Sequence, residues 1–564
     1  MKIDDLDPLS LTHLQKNIQA LQQINPSLAN RLALPVGDDH VKLQNRQIVL
    51  THGRKQYQLN VPLEPLLKDA PIVKEVVFLF GAGSPALVRH VLDQSSVSRL
   101  IVWDRDPLLL RILLMERDFS EELTKGRLQL ALGIDLIDFA GDNFQIISHP
   151  ILQDIYFAEY TMLLEGVGTK RVIISPETLY SKEAFTFFYQ QGYAVYSLDL
   201  RRISLEEIQY TLFKFKPELL FVVNYISGLA ELSQKTQIPV ACWEIDPFVD
   251  RLSRPPASTE LCWIFCYRPA LVEEFKNAGF KHVYYLPMGA DLHLRRPAKL
   301  TPQEKEYYHA PVSFVGSSML EQALNFRKLL LKLYGEFKPG AHHLRQFETN
   351  LEEILQIQRD NFTHFVIQEL ATYYFHDFIQ FCEQNRHPDP VVLISEMAAS
   401  EKRVNYLSVV SPYGLKIWGD KGWQVLESYG ATYMGYAGRH HEINKIYTAT
   451  QINLDVNRLY QNDIVPLRIF DTLACGGFIL AEYSEEIERL FDIDNELVCY
   501  QNHTDLSKKV HYFLQHPQEA RQIAEKGRQA VIEKHAFALR MQKILRHISS
   551  AMKKTETTPA HSLA

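Results

Sequence analysis

Two carboxylates, Asp463 and Asp471, stand eight positions apart in the segment NLDVNRLYQNDIVPLRIFDTLACGGFILAEY, residues 453–483. The residue types run as strand, loop, short helix, tight turn at Gly476-Gly477 and apolar strand from Phe478 to Ala481. Pro466 suits a first helical turn, where the missing N–H costs nothing. A helix N-terminus offers N–H groups and a positive dipole end, so it can hold a diphosphate. Asp463 lies in the loop before the helix, and Asp471 sits about two turns further on, inside it. One can face the phosphate or sugar end while the other reaches a ribose hydroxyl. Arg468, one turn into the helix, carries a guanidinium fork that matches phosphate oxygens. Asn453 and Asn457, on the preceding strand and loop, either hydrogen-bond a sugar or close the turn. Asp463 reads equally as a solvated loop acid; for Asp471 the alternative, a polar residue on the outer face of a core helix, is less favoured because Phe470, Leu473 and Ala474 beside it are apolar. Taken together, these residues outline a nucleotide-sugar site.

On these residues the segment resembles the C-terminal half of GT-B glycosyltransferases, specifically the CgeB-like (spore-maturation-type) group, whose pattern runs roughly N…R-[IV]-F-[DE]-x-L-A-C-G-G-F-[IL]-L. Related GT-B enzymes carry two glutamates with the same spacing, the first on the donor sugar or phosphate and the second on the ribose. Here both are aspartate, one methylene shorter. The resemblance is strongest over 280–550, extends over 170–280 and is loose over 75–150. It implies a bacterial enzyme that moves a sugar from a nucleotide-sugar to a glycan or protein acceptor. The donor would lie mainly on the C-terminal half and the acceptor on the first. It also implies no permanently bound cofactor and no metal, because a helix dipole and cationic side chains stabilise the leaving diphosphate. The carboxylate spacing leans toward retention of anomeric configuration.

Further residues fall into place beside this motif. PVSFVGSSM puts Gly316, Ser317 and Ser318 at a carboxyl strand end, where ligands of open α/β sheets bind, and small residues there let a phosphate approach the backbone. Arg327, later in the following helix, reads as a surface cation or a phosphate ligand. GLKIWGDKGW ends a strand at Gly419 and resembles the family element near the nucleotide base; Trp418 and Trp423 either stack on a base or belong to the core. WEIDP holds Glu244 and Asp246 at a strand end, and a carboxylate there could serve as general base toward an acceptor hydroxyl. Asp-Pro is equally a turn opener. Met288-Gly289-Ala290-Asp291 resembles the family's crossover and hinge element. FGAGSPA, residues 80–86, followed by Asp104, fits a dinucleotide or S-adenosylmethionine fingerprint. With no methyltransferase motif downstream, a degenerate Rossmann-like accessory domain is favoured over a working methyltransferase.

The elements that must carry these residues are α/β. At 564 residues the chain exceeds one core, and its 46% hydrophobic and 23% charged residues are ordinary for a globular protein. A net charge of −7 argues against a nucleic-acid binder. The start MKIDDLDPLSLTHLQ lacks an apolar signal region, and no run approaches a membrane span, so the expected location is cytoplasmic with no integral membrane segment. The six scattered cysteines form no zinc pattern and read as reduced buried thiols. Short apolar strands alternate with helical segments, which means parallel sheets with helical crossovers. The expected architecture is a pair of GT-B Rossmann-like domains preceded by an additional Rossmann-like α/β domain. Residues 1–165 form the accessory region, 166–300 the acceptor-side domain, and 301–552 the nucleotide-sugar domain with an all-α insertion over about 341–405. Residues 295–310 read as a linker and 553–564 as a disordered tail. Two other functions fit the same pattern: a non-catalytic GT-B scaffold, and an S-adenosylmethionine-dependent methyltransferase acting through the N-terminal domain.

Overall fold

The computed structural model describes residues 8–37, 40–44, 47–53, 55–60, 72–176, 178–246, 258–438 and 441–557. Most of the disordered tail expected over 553–564 lies outside them. The described chain is α/β with parallel sheets, the class the alternating apolar runs demand. It divides into two compact units. Unit 1 takes the described residues of 1–265, 274–284 and 548–564, and unit 2 those of 266–273 and 285–547.

Unit 1 opens with helices Pro8–Ile24 and Pro26–Ala33 and an antiparallel sheet of β1 (Val41–Gln44), β2 (Gln47–His52) and β3 (Lys55–Gln58). A four-stranded parallel sheet follows, built from β4 (Val76–Phe80), β5 (Arg99–Asp104), β6 (Leu128–Leu132) and β7 (Gln145–Ser148) in the order β6-β5-β4-β7. A six-stranded sheet holds β8 (Arg171–Ile174), β9 (Ala194–Ser197), β10 (Leu219–Val223), β11 (Val240–Glu244), β12 (Cys262–Cys266) and β13 (His282–Tyr285) in the order β13-β12-β11-β10-β8-β9. Runs such as LLFVV and CWIFC are buried at every position, as strands covered on both faces must be. Arg31 ties the N-terminal helices to the rest of the unit. Its guanidinium meets Glu207 and Asp135 at 2.6 Å each and lies 3.9 Å from the centre of the Tyr210 ring.

Unit 2 is built on β14 (Val312–Val315), β15 (Leu415–Trp418), β16 (Thr432–Tyr433), β17 (Ile452–Leu454), β18 (Ile479–Glu482) and β19 (Val498–Tyr500). The order is β16-β15-β14-β17-β18-β19 and every pair is parallel. The chain starts at the centre in β14, winds outward to β16, then returns to β17 on the other side of β14. The winding therefore reverses between β14 and β17, and ligands of open parallel sheets bind at such a reversal, beyond the carboxyl strand ends.

Four helices separate β14 from β15: Leu320–Phe337, Ala341–Asp360, Ile367–Gln384 and Pro390–Val410. The second buries Phe347, Leu351, Ile354 and Leu355 on one stripe, as an amphipathic helix should. The fourth is buried on nearly all sides, including Ser400, Lys402 and Arg403. A helix without a polar face is a core helix, so its charges are carried into the interior beside the sheet. The stretch 295–310 is not a bare linker. Thr301 and Glu304 form a reciprocal capping box that starts the helix Pro302–Tyr308. The 288–291 element is stitched to the segment before the last helix, with Phe537 N–H donating to Ala290 O at 2.7 Å. All six cysteines are buried free thiols.

Candidate active site

The residues Gly316, Ser317, Gly419, Asn457 and Arg468 converge on the carboxyl edge of the unit 2 sheet. Strand ends place the first four, and the helix Leu467–Ala474 brings in Arg468. That helix buries Ile469, Phe470, Leu473 and Ala474 and ends at Gly476, whose φ of +74° is the left-handed stop that glycine takes without strain. Gly477 follows because Tyr447 O and Asn453 Nδ2 leave no room for a Cβ.

Arg468 lies at the winding reversal. Its Nε donates to Val315 O on β14 at 2.9 Å, and its Nη1 meets Asp455, just past β17, at 2.5 Å. The guanidinium carbon stands 4.7 Å from the centre of the Phe314 ring. Gly316 lies against it: a Cβ there would come within 2.8 Å of Arg468 Nη2 and 3.0 Å of the Phe314 ring, so the guanidinium would have to shift. Asp455 is 1% exposed, and its second oxygen has no partner among the described residues. An incompletely satisfied buried carboxylate is costly in a core and is accepted most readily at a site that binds something.

The Gly316–Ser318 turn is clamped from two sides. Asp420 accepts from Ser317 Oγ and Ser318 N–H, both at 2.7 Å, and from Ser318 Oγ. Burial opposes ionisation of Asp420, but the hydrogen bonds from Ser318 and Ser317 outweigh it and hold the carboxyl below its ordinary value. From the Pro390–Val410 helix, Ser400 Oγ donates to Ser318 O and Arg403 Nη1 to Ser317 O, at 3.0 and 2.8 Å. Gly419 sits where any Cβ would run into Gly316 O and the Trp423 indole. Trp418 and Trp423 are both fully buried, and Trp423 Nε1 donates to Gly316 O at 2.7 Å. They are core aromatics that shape the turn, and neither has a face open to a base. Arg327 pairs with Glu352 at 2.9 Å on the outside of the helices.

Two further ion pairs complete the edge. Lys402 meets Glu482, at the end of β18, at 2.5 Å, and Arg458 meets Glu396 at 3.1 Å. Burial first, against the pull of Lys402, raises the Glu482 carboxyl above its ordinary range. Glu482 also accepts the Asn457 N–H at 3.0 Å, and the Asn457 side chain donates to Gln461 O. Asn457 thus shapes the loop beyond β17. Asn453 closes strands: it accepts from Ser313 and donates to Phe478 O and Tyr447 O.

The two carboxylates of the sequence motif are each engaged by a different arginine. Asp463 makes a forked pair with Arg268, with contacts of 2.8 to 3.0 Å. Asp471 meets Arg295 Nε at 2.8 Å. Burial first raises the Asp471 carboxyl, and Arg295 pulls it back. In unit 1, Asp246 is exposed beyond β11 and accepts from Asn224 Nδ2 at 2.6 Å.

The fingerprint at Gly81–Ala86 is self-occupied. Asp104 is fully buried and accepts from Ala82 N–H at 2.7 Å, the backbone donor a ribose or phosphate would need. Burial pushes its carboxyl up to about 7. Leu152 and His149 fill the space above Gly81 and Gly83, and His149 Nε2 lies 2.7 Å from Leu59 O. Among the described residues no group of His, Cys, Asp or Glu is arranged to hold a metal, and no helix is long and apolar enough to cross a membrane.

Asp420, Asp455 and Glu482 lie inside the motif segments without having been singled out there, and Lys402 and Arg403 lie outside those segments. One signal could have found two of them: a Lys-Arg pair inside PVVLISEMAASEKRVNYLSVV, a segment apolar on every helical face.

Residues 397–546, under half of the chain, match the family model described as Glycosyl transferase-like. No curated protein matches the chain. Among solved structures, the chain is similar to a glycosyltransferase from Rickettsia africae ESF-5, at 11% identity and a TM-score of 0.44, over 68% of this chain and 99% of that one. It is similar to the sucrose-phosphate synthase of Thermosynechococcus elongatus at 12% identity and a TM-score of 0.41, over 68% of this chain and 100% of the other. It is also similar to Anabaena HepE, solved in complex with UDP-glucose, at 12% identity and a TM-score of 0.38, over 67% and 99% of the two chains.

Proposed function

We propose that this chain is a GT-B glycosyltransferase that moves a sugar from a nucleotide-sugar to a glycan or protein acceptor. The observation that carries it is Arg468 at the winding reversal of the unit 2 sheet, bridging β14 and Asp455, within the segment that matches the glycosyl transferase-like model. Two six-stranded sheets, one in each unit, parallel throughout unit 2 and across β11-β10-β8-β9 in unit 1, support the GT-B pair. The four-stranded sheet with its self-occupied glycine turn supports a non-cofactor-binding accessory domain and disfavours a methyltransferase. CgeB-like membership, a bacterial source, a cytoplasmic location and the domain limits 1–165, 166–300 and 301–552 belong to the same proposal.

In this mechanism the bond between the anomeric carbon and the diphosphate oxygen breaks, and charge grows on the leaving diphosphate. Arg468 and the N–H groups opening the Leu467–Ala474 helix stabilise that charge. Gly316, Ser317 and Gly419 let the donor approach the backbone closely. Asp463 serves the donor sugar or phosphate, Asp471 the ribose, and Asn457 holds the loop beyond β17 that leads to Asp463. Asp246 takes the proton from the acceptor hydroxyl. Side-chain cations supply the charge, so metal independence is part of the proposal. The test is release of nucleoside diphosphate from a panel of nucleotide-sugars, with EDTA present, by wild type, Arg468→Ala and Arg468→Lys. Turnover by wild type, near-complete loss in Arg468→Ala and partial recovery in Arg468→Lys support the mechanism, since a fork has become a point charge. Normal turnover by Arg468→Ala, or its abolition by EDTA in wild type, refutes it.

A further inference from the structure

We propose that Arg403, carried by the Pro390–Val410 helix, is a third guanidinium of the donor diphosphate site beside Arg468 and Arg458; this rests on the nucleotide-sugar reading above. Three elements distant in sequence bring these cations to one sheet edge: the helix before β15, the loop after β17 and the helix before β18. The neighbouring cations each have a carboxylate of their own. Arg468 has Asp455, Arg458 has Glu396 and Lys402 has Glu482.

Arg403 differs from all three. Its Nη1 reaches only a carbonyl, Ser317 O. Its Nε is buried with no hydrogen-bond partner among the described residues, and the residue is 8% exposed. Burial first, then Arg468 and Arg458, push this guanidinium down to about 9; Asp455 and Glu396 pull the other way, each while paired with another arginine through one oxygen. A buried cation with no hydrogen-bonded carboxylate of its own is a costly arrangement. An anion that enters the site would offset that cost.

The position of Arg403 identifies the anion. The carbonyl it grips belongs to the turn that follows β14, next to the winding reversal and to Arg468. Small residues leave that backbone approachable. A diphosphate brings several negative charges and oxygens suited to guanidinium forks, whereas the nucleoside portion of the donor brings no charge. Arg403 should therefore discriminate by phosphate and not by base or ribose. It would also couple the donor to the Gly316–Ser318 turn, because one guanidinium touches both.

The test compares full-length wild type, Arg403→Gln and Arg403→Lys by calorimetric titration with UDP, GDP, ADP and dTDP and with the matching nucleosides. In Arg403→Gln the diphosphate that wild type binds best should weaken by about 30-fold or more, with nucleoside affinity changed less than about twofold. Arg403→Lys should lose about tenfold. The unliganded Arg403→Gln protein should melt at or above the wild-type temperature, since a buried unpaired charge has been removed. An unchanged ratio of diphosphate to nucleoside affinity in Arg403→Gln, or in Arg403→Lys where the glutamine variant fails to fold, overturns the assignment and leaves Arg403 as a clamp on Ser317. A wild type that binds none of the diphosphates overturns the glycosyltransferase reading itself.

Discussion

Arg468→Ala removes the cation that Asp455 holds at 2.5 Å. Asp455 is 1% exposed, so water cannot replace the lost partner, and its other oxygen already has none among the described residues. Breaking a buried pair by deleting one member costs about 3–5 kcal/mol, most of it the penalty of the abandoned charge. In a unit of this size about 1 kcal/mol shifts the melting temperature by roughly 2–4 °C, so Arg468→Ala should melt roughly 6–20 °C lower. The same logic makes the cost recoverable. Asp455→Asn in the Arg468→Ala background removes the abandoned charge and should restore at least half of the loss. The assay is thermal and urea unfolding of wild type, both single variants and the double variant, read as a double-mutant cycle. A coupling of about 2 kcal/mol or more is expected, against the roughly 0.5 kcal/mol within which independent sites add. Additive effects, or an Arg468→Ala melt within about 2 °C of wild type, would show that Asp455 and Arg468 are solvated and that the buried site does not exist.

His535 predicts a pH dependence. Its Nδ1 lies 2.8 Å from Arg540 Nη2, which can only donate, and its Nε2 lies 3.0 Å from Leu490 O, so the neutral Nε2–H form is enforced. Burial first and Arg540 second push its pKa from 6.5 down to about 4. A base with a depressed folded pKa binds its proton more readily when unfolded. Stability is therefore full above pH 6.5 and declines as pH falls toward 4, by up to roughly 3 kcal/mol; His535→Gln should flatten that slope, and an unchanged slope refutes the assignment. Asp471→Ala removes the carboxylate that Arg295 holds in a buried pair, so it should lower the melting temperature by several degrees as well as weaken diphosphate binding by roughly 10- to 100-fold. Unchanged affinity in a variant that still folds would make Asp471 a structural partner of Arg295 alone.

The strands were legible because burial on both faces writes itself as continuous apolar runs; LLFVV and CWIFC need no context to be recognised. The start of the helix Leu205–Phe215 is written in the chain as Ser204, whose side chain accepts from Glu207 N–H. The capping box at Thr301 and Glu304 was also written in the chain, yet the polar composition of 295–310 suggested a linker. The charged partners at the sheet edge were not legible. Asp455 and Asp420 follow ordinary strands and Glu482 ends one, and only the strand order brings them together. Arg403 lay hidden in a stretch read as an all-α insertion, because helical periodicity does not say which face meets the sheet. Trp418 and Trp423 left stacking and core burial equally open until packing placed both inside.

The central claim is that the carboxyl edge of the unit 2 sheet binds a nucleoside diphosphate. It is tested most directly by thermal shift of the wild-type protein with UDP, GDP, ADP, dTDP, their sugar conjugates and S-adenosylmethionine. A ligand that binds only the folded state at about 100 times its dissociation constant adds about 2.7 kcal/mol of apparent stability, or roughly 5–10 °C for a unit of this size. At least one diphosphate and its sugar conjugate should give a shift of that order, and S-adenosylmethionine none. A shift with S-adenosylmethionine alone, or none with any diphosphate at millimolar concentration, would contradict the account.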